Sequence, residues 1–513
     1  MIMSIRIIFL LGLVILYNTS YSQVVTRRGS AEWIKSQNKI LSNNKPEKYK
    51  TSKQHIKNEI NNLKKYSANE ENTLGITVDI GLDINKNGRW DYSNDSINIW
   101  TLEIASADAQ FICLIFKELE IPQYDELLLY NPSKTILMGP ITNKNNVDGG
   151  SYATDIIESE QVILEYHQKK NNTTAPKLSI SEIVHGIKNE VLDATNANTK
   201  QYNCLVDVNC QAGNGWEDQK NGTCFILKLG DPTNPQTSGK PWASGALINN
   251  TANDNTPYIL TAWHNTQGTG SNISLWIFRF KYWNTTCNGT VNSETISYCG
   301  GSVLEEWKDD NLNNDMALIK MYETPTYSDN VYYCGWNISS TLPSSSTLIS
   351  HPQQGNHLMK ISKSNSVISI GLWWKSSWYI GGASSGSSGG PLFDGNKRII
   401  GTHHGRVNDN CDADAYAGKL SFSWNNNGLN GHKISYWLNP NNLNVTQWDG
   451  RYRCEETLIN NMTITNNSYI NDCEVKIKNT TVQNNANVII EAENGVTIES
   501  NFEVKLGAQL EIK

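Results

Sequence analysis

What most constrains this chain is the shortness of its apolar runs. From Gly75 onward they come in alternating segments of a few residues, such as 100–104, 111–116, 127–130, 162–166, 224–229 and 275–280. Period-two alternation over so few residues specifies strands with one buried face. Sustained helical periodicity is missing; only 32–42 and 432–438 could form short helices. An all-β protein is therefore expected. Between 75 and 191 the runs are separated by turn formers, Asn87-Gly88, Pro122, Asn131-Pro132 and Gly149-Gly150, which predicts an antiparallel two-sheet sandwich.

At 513 residues the chain exceeds one ordinary domain, and about 150 residues per domain suggests about three. Residues 1–22 read as an export signal, with Arg6, an apolar run over 7–17 and small residues at Ser20 and Ser22 before Gln23. That run is too short to span a bilayer, which takes about 20 apolar residues, so a secreted protein without stable membrane insertion is expected. Residues 24–65 are polar and read as a loosely structured lead-in to the sandwich. The polar stretch 193–202, DATNANTKQY, is a seam. Beyond it, 201–451 is richer in Trp, Gly and Cys and suits a larger all-β domain. Residues 452–513 are Asn-rich with brief strands at 462–465, 474–477 and 488–492, then shorter steps over 496–513. They form a small stacked-strand module, read as a stabilising or surface-attachment appendage. A net charge of −7 and no basic stripe argue against nucleic acid as a partner. Ten cysteines in an exported chain point to disulfides, and no CxxC or Cys/His pair has metal-ligand spacing. No metal or cofactor is expected. Cys113, in an apolar strand, reads as a buried small hydrophobe.

The chemistry centres on 386–391, GSSGGP. Gly386, Gly389 and Gly390 around Ser388 let the backbone turn tightly and aim the Gly386 and Ser388 amides at one point, as an oxyanion hole for attack by Ser388 requires. Gly/Ser-rich runs are also ordinary loops and linkers. A base for Ser388 is His264 in YILTAWHN, delivered to a loop by the apolar run 258–260. The carboxylate to hold its tautomer is Asp315 in NNDMALIK, before the strand 316–319. Taken singly, His264 could be a surface-loop residue and Asp315 could start a turn.

Together these residues resemble the bacterial lysyl endopeptidases, secreted members of the trypsin-like serine proteases. The likeness runs from about 204 to 450 through CLVDVNC, ALINNTANDNTPYILTAWHN, NTTC, HPQQGNHLMKIS, GSSGGPLFDGNKRIIGTHHG, DAYAGKLSFSW and ISYWLNP. The chain order His, Asp, Ser is that of the chymotrypsin-type triad. The resemblance implies two antiparallel β-barrels with the site between them, His264, Asp315 and Ser388 as the triad, and disulfides Cys204–Cys411 and Cys210–Cys287. From closeness in sequence, Cys299–Cys334 and Cys454–Cys473 are further candidate pairs. The chain departs from animal relatives at Ser387, where they carry an activating Asp. Asn265 stands where relatives often have a half-cystine, whose usual partner falls at Ala243. Gly382 occupies the place of trypsin's specificity acid. The resemblance assigns lysine binding to Asp414, with Asp412 as alternative, and peptide pairing to His404 and Gly405. Lysine specificity makes Lys200, within the seam, a self-cleavage point, and 23–200 a propeptide that assists folding or covers the cleft. A monomer acting on polypeptide substrates is expected. Still open are glutamate specificity through His403 or His404, a His403/His404 metal site lacking a third ligand, and a catalytically silent binding module.

Overall fold

The computed structural model describes residues 24–36, 42, 45–66, 75–146, 151–187, 204–228, 242–267, 273–292, 294–308, 314–353, 356–453, 456–472, 474–492 and 495–512. The signal, the seam with Lys200, and Cys454 and Cys473 lie outside them. Among the described residues no helix is long and apolar enough to cross a membrane.

Residues 75–186 build the expected sandwich. One sheet pairs Gly75–Asp83, Lys177–Gly186, Ile112–Glu120 and Tyr152–Ala153 in order; the other carries Ile136–Ile141, Glu126–Tyr130, Gln161–Lys169 and Ile97–Ala105. Ile104, Phe111, Leu114, Phe116, Leu129 and Leu164 are buried between them. The lead-in is not loose, which corrects the sequence reading. Helix Lys53–Tyr66 buries Ile56 and packs Ile60 on the same core, and Glu47–Lys50 adds a parallel strand beside Ile97–Ala105. Strand Val25–Arg28 pairs with Ile136–Ile141 on one side and Glu294–Cys299 on the other. Its four residues carry too little alternation to register as a strand alone; the two flanking strands order it.

Each of the next two units is a closed antiparallel barrel, and in each a bent strand closes the ring. Glu294–Cys299 pairs with Trp276–Phe280, while its continuation Gly301–Trp307 pairs with Met316–Met321. Thr223–Lys228, Trp242–Ile248 and Tyr258–Thr261 complete the circle. The bend falls at Gly300, whose φ of +76° suits glycine and where a Cβ would lie 2.6 Å from the Ser274 carbonyl oxygen. In the second barrel Lys360–Ser364 runs on into Ser366–Ile370, and Ser346–Ser350, Pro391–Asp394, Ile399–Arg406, Ala415–Lys419 and Trp373–Ser377 lie between its two halves. Ile226, Leu247, Phe278 and Ile319 fill the first barrel; Leu348, Trp374, Leu392 and Ile400 fill the second. Leu260, Met316, Leu318, Ile349, Ile361 and Phe393 form the apolar joint between barrels. A short helix at Ser435–Leu438 matches the expected one, and Leu420–Asn425 adds another.

Disulfides join Cys204 to Cys411 and Cys210 to Cys287, the pairs implied by the resemblance. Cys299 and Cys334 are buried free thiols, not a bridge. Closeness in sequence misled because they enter different cores: Cys299 faces the N-terminal module and Cys334 the inter-barrel joint. Cys113 is buried as expected, its thiol pushed up to about 12 chiefly by desolvation.

Residues 456–512 form a parallel β-solenoid of three three-stranded sheets around Ile459, Val475, Ile477, Val488 and Ile490. Asn461, Asn479 and Asn501 take the left-handed turn position on successive rungs, and the Asn501 and Asn479 amides donate to Asn479 and Asn460. Because the solenoid has its own core, ending the chain after Arg453 should leave the barrels' melting temperature unchanged to within about 2 °C. Calorimetry of the two forms checks this, and a fall of more than about 5 °C would show that the solenoid supports the barrels.

Candidate active site

His264 lies in a single 3-10 turn, Trp263–Asn265, directly after strand Tyr258–Thr261. Asp315 directly precedes Met316–Met321, the strand paired with it. Adjacent strands of the first barrel thus carry His264 and Asp315 to one rim. Asp315 holds φ at +53°, a conformation unfavourable for most residues, and its carboxylate is fully buried. Its Oδ1 accepts the His264 backbone N–H at 2.9 Å, and its Oδ2 accepts His264 Nδ1–H at 2.7 Å. A second imidazole reaches the same oxygen from the other barrel: His404 Nδ1 lies 2.6 Å from Oδ2. Burial alone would raise the Asp315 carboxyl, but hydrogen bonds from His264 and His404 outweigh it and hold the group well below the usual carboxylate range. Nδ1–H donation leaves His264 Nε2 as the basic nitrogen, and that side chain is 35% exposed. His404 packs on Trp373 at 4.8 Å. None of the roles the sequence offers for His404, in peptide pairing, glutamate binding or a metal site with His403, includes a bond to Asp315, and nothing in its local sequence signals that bond, since the contact spans 89 residues. The His264, Asp315 and His404 ligand atoms lie within 4.8 Å of one another, a spacing a cation could also use; two N–H donors on one carboxylate already account for it.

The Ser388 loop is shaped by its glycines. Gly386 has φ +92° and Gly389 φ +80°. A Cβ on Gly386 would meet the His351 carbonyl at 2.7 Å, and one on Gly389 the Ser244 carbonyl at 2.4 Å. Ser387, Gly389 and Gly390 donate their amides within the loop or to His403. The Gly386 and Ser388 amides meet no acceptor among the described residues, so both are unspent donors flanking the half-buried Ser388. The Ser388 carbonyl is tied to the first barrel by the Ser244 amide at 2.8 Å and by Asn265 Nδ2 at 3.2 Å. Asn265 therefore ties its own turn, through Thr261 Oγ1, to the Ser388 loop. Ser387 is fully buried, and its hydroxyl accepts from Ser350 Oγ at 3.0 Å and from the Ser384 amide at 3.3 Å.

The substrate-side residues are placed unevenly. In strand Ile399–Arg406, ladder pairing with Pro391–Asp394 ends at Thr402, and His403 still exchanges backbone bonds with Gly389 and Gly390; beyond it Gly405 and Arg406 pair with Tyr416 and Ala415 and, among the described residues, with no second strand. A Cβ on Gly405 would meet nothing within 4 Å, so the sheet face over Gly405 is open. His403 is buried, and desolvation drives its imidazole down to about 3. Asp412 is exposed. Asp414 is half-buried, and its carboxylate pairs with Lys375 Nζ at 2.7 Å across neighbouring strands. Lys375 and Ser377 hold its carboxyl below the usual range. That pairing had no sequence signal.

Behind Gly386 sit two buried imidazoles, His351 and His357. His351 Nδ1 meets the His357 carbonyl at 2.7 Å, and His357 packs 4.7 Å from Trp242 with both ring nitrogens unpartnered among the described residues. Desolvation pushes each from 6.5 down to about 3. Between those values the unfolded chain binds protons that the folded one refuses, so stability falls as pH drops from 6.5 towards 3 and levels off below. His357→Phe should flatten this slope by about one proton in acid-unfolding curves; an unchanged slope would show that His357 does not titrate on unfolding.

Residues 199–417 match the family model for the lysyl endopeptidase C-terminal domain. Among solved structures, human heparin binding protein aligns at 12% identity over 40% of this chain and 88% of its own, with a TM-score of 0.31. A serine endoprotease from Yersinia pestis aligns at 15% identity over 40% of this chain and 61% of its own, with a TM-score of 0.27. The active form of a protease from M. tuberculosis gives 13%, 40%, 78% and 0.26 in the same order. The fold stands on the strand pairing itself: two closed antiparallel barrels, with the site residues on loops at their joint, are the architecture of the chymotrypsin-like serine proteases.

Proposed function

We propose that residues 201–451 act as a secreted serine endopeptidase that cuts on the carboxyl side of lysine. The observation that carries the reading is the buried Asp315 holding His264 Nδ1 while the Gly386 and Ser388 amides stay unspent. In this mechanism Ser388 Oγ attacks the scissile carbonyl as His264 Nε2 takes its proton. The carbonyl oxygen, now negative, accepts from the Gly386 and Ser388 amides. The intermediate collapses, the C–N bond breaks, and His264 returns the proton to the leaving amine. Water then repeats the sequence on the acyl-enzyme and frees Ser388. Asp315 stays ionised throughout, stabilising the imidazolium and fixing its tautomer. The edge at Gly405 and Arg406, paired with Ala415–Lys419 alone among the described residues, suits a peptide added as a strand.

Lysine selectivity rests on the family match and on Asp414. A carboxylate there already carries Lys375 as counter-ion, so a substrate lysine would exchange with that ammonium, not enter an empty site. Such an exchange favours a cation over a neutral side chain while setting a weaker grip than an unpaired acid would. The same exchange makes Lys200 in the seam a self-cleavage point, with 23–200 the propeptide. Ser387 is satisfied by Ser350 and Ser384, which supports activation without an ion pair from a new amino terminus.

Peptides differing only in Lys, Arg or Glu before the cut test this. The Lys peptide should be preferred, and Asp414→Asn should lower kcat/KM for it by about 100-fold while hardly changing the others. An undiminished preference for Lys in Asp414→Asn would remove Asp414 from specificity, and cleavage after Glu would overturn the lysyl assignment.

A further inference from the structure

The N-terminal module meets the barrels through a buried charge pair that neither half can satisfy alone. Asp155, on the module, and Arg279, in the first barrel, are both fully buried, and the Arg279 guanidinium donates to the Asp155 carboxylate. That carboxylate also accepts from Ser297 Oγ at 2.8 Å and from Thr26 Oγ1 at 3.0 Å. Arg279 Nε and Nη1 are buried with no hydrogen-bond partner among the described residues, so the guanidinium depends on Asp155 as its counter-ion. Around this pair, strand Val25–Arg28 is hydrogen-bonded to both units at once, with Thr26 opposite Met138 and Thr295. Arg28, braced within the module by Glu158, donates across to Thr295 Oγ1 at 3.3 Å, and Asn145 donates to the buried Glu323 at 2.5 Å. Covering this surface does not close the cleft, since His264 remains 35% exposed with the module in place.

The contact also leads to the nucleophile loop. Phe225, Tyr282, Trp242 and Leu358 of the barrels share one apolar core with the module. Phe225 and Trp242 pack on His351 and His357, and the His351 carbonyl and Trp242 ring wall in Gly386. We infer that the module, once cut from the barrels at the seam, stays bound to them as a subunit and holds the Gly386–Ser388 loop in its working shape. The partner is thus this chain's own residues 24–187, seated on the strand Glu294–Cys299 and Arg279. Separation would strand the Arg279 charge and open the edge of that strand, both costly.

Retention does not depend on the protease reading; only the functional meaning of the loop does. The test uses the full chain opened at the seam by an added lysyl-specific protease, followed by size exclusion at 0.15 M and 1 M salt, both about physiological or above on the Debye scale. The two fragments should co-elute at both. Asp155→Asn should raise their dissociation constant by about 100-fold, and Arg28→Ala, which leaves the central pair intact, by about 10-fold. On dilution to dissociation, amide exchange should quicken over 351–359 and 383–390, and peptidase activity should fall with it. Fragments that part on cleavage would overturn retention. Unchanged exchange, or a free protease fragment as active as the complex, would overturn support of the loop. A chain inactive even when intact would count against the protease reading alone, because co-elution and exchange are read without turnover.

Discussion

A single buried carboxylate joins the two barrels chemically. Asp315 comes from the first barrel, and its Oδ2 accepts one imidazole N–H from that barrel and a second imidazole nitrogen from the other. An ionised carboxylate removed from water is costly unless its lone pairs are filled. Here they are filled by the His264 amide and by two rings, so relative displacement of the barrels would strip a donor from it. The cost of burying that charge is thereby turned into a restraint on inter-barrel geometry, and on the base whose tautomer it sets.

Ser388 is positioned by a different means, through main chain. Its carbonyl is anchored by Ser244 and Asn265, and the loop's left-handed glycines leave the Gly386 and Ser388 amides unspent. Ser387 sits where an acid would require an external cation, yet is satisfied by neighbouring hydroxyl and amide groups. The loop is therefore preorganised by its own surroundings, which include the neutral His351 and His357 and the aromatic rings that carry the N-terminal module.

Much of the candidate site could be named from the sequence because its members lie in local motifs: a histidine just beyond an apolar strand, an acid just before one, and a serine among glycines. The sandwich and the stacked tail were equally legible from short runs and turn formers. Contacts between residues remote in the chain were not. His404 reaches Asp315 across 89 positions, Lys375 neutralises Asp414 only because their strands pair, and Val25–Arg28 is a strand only between its two neighbours. Barrel closure at Gly300 and Asn365 depends on one strand serving two partners, which period-two alternation cannot express. Cys299 and Cys334 show the converse: closeness along the chain says little when the backbone between them turns into another core.

Whether Asp315 makes His264 a competent base for one serine is read from the rate at which a fluorophosphonate labels the protein, with the adduct located by peptide mapping. One label per chain is expected, on Ser388, at a rate at least about 1,000-fold lower in Asp315→Asn, where the tautomer is no longer held. A label on another residue, or an equal rate in Asp315→Asn, would contradict that role.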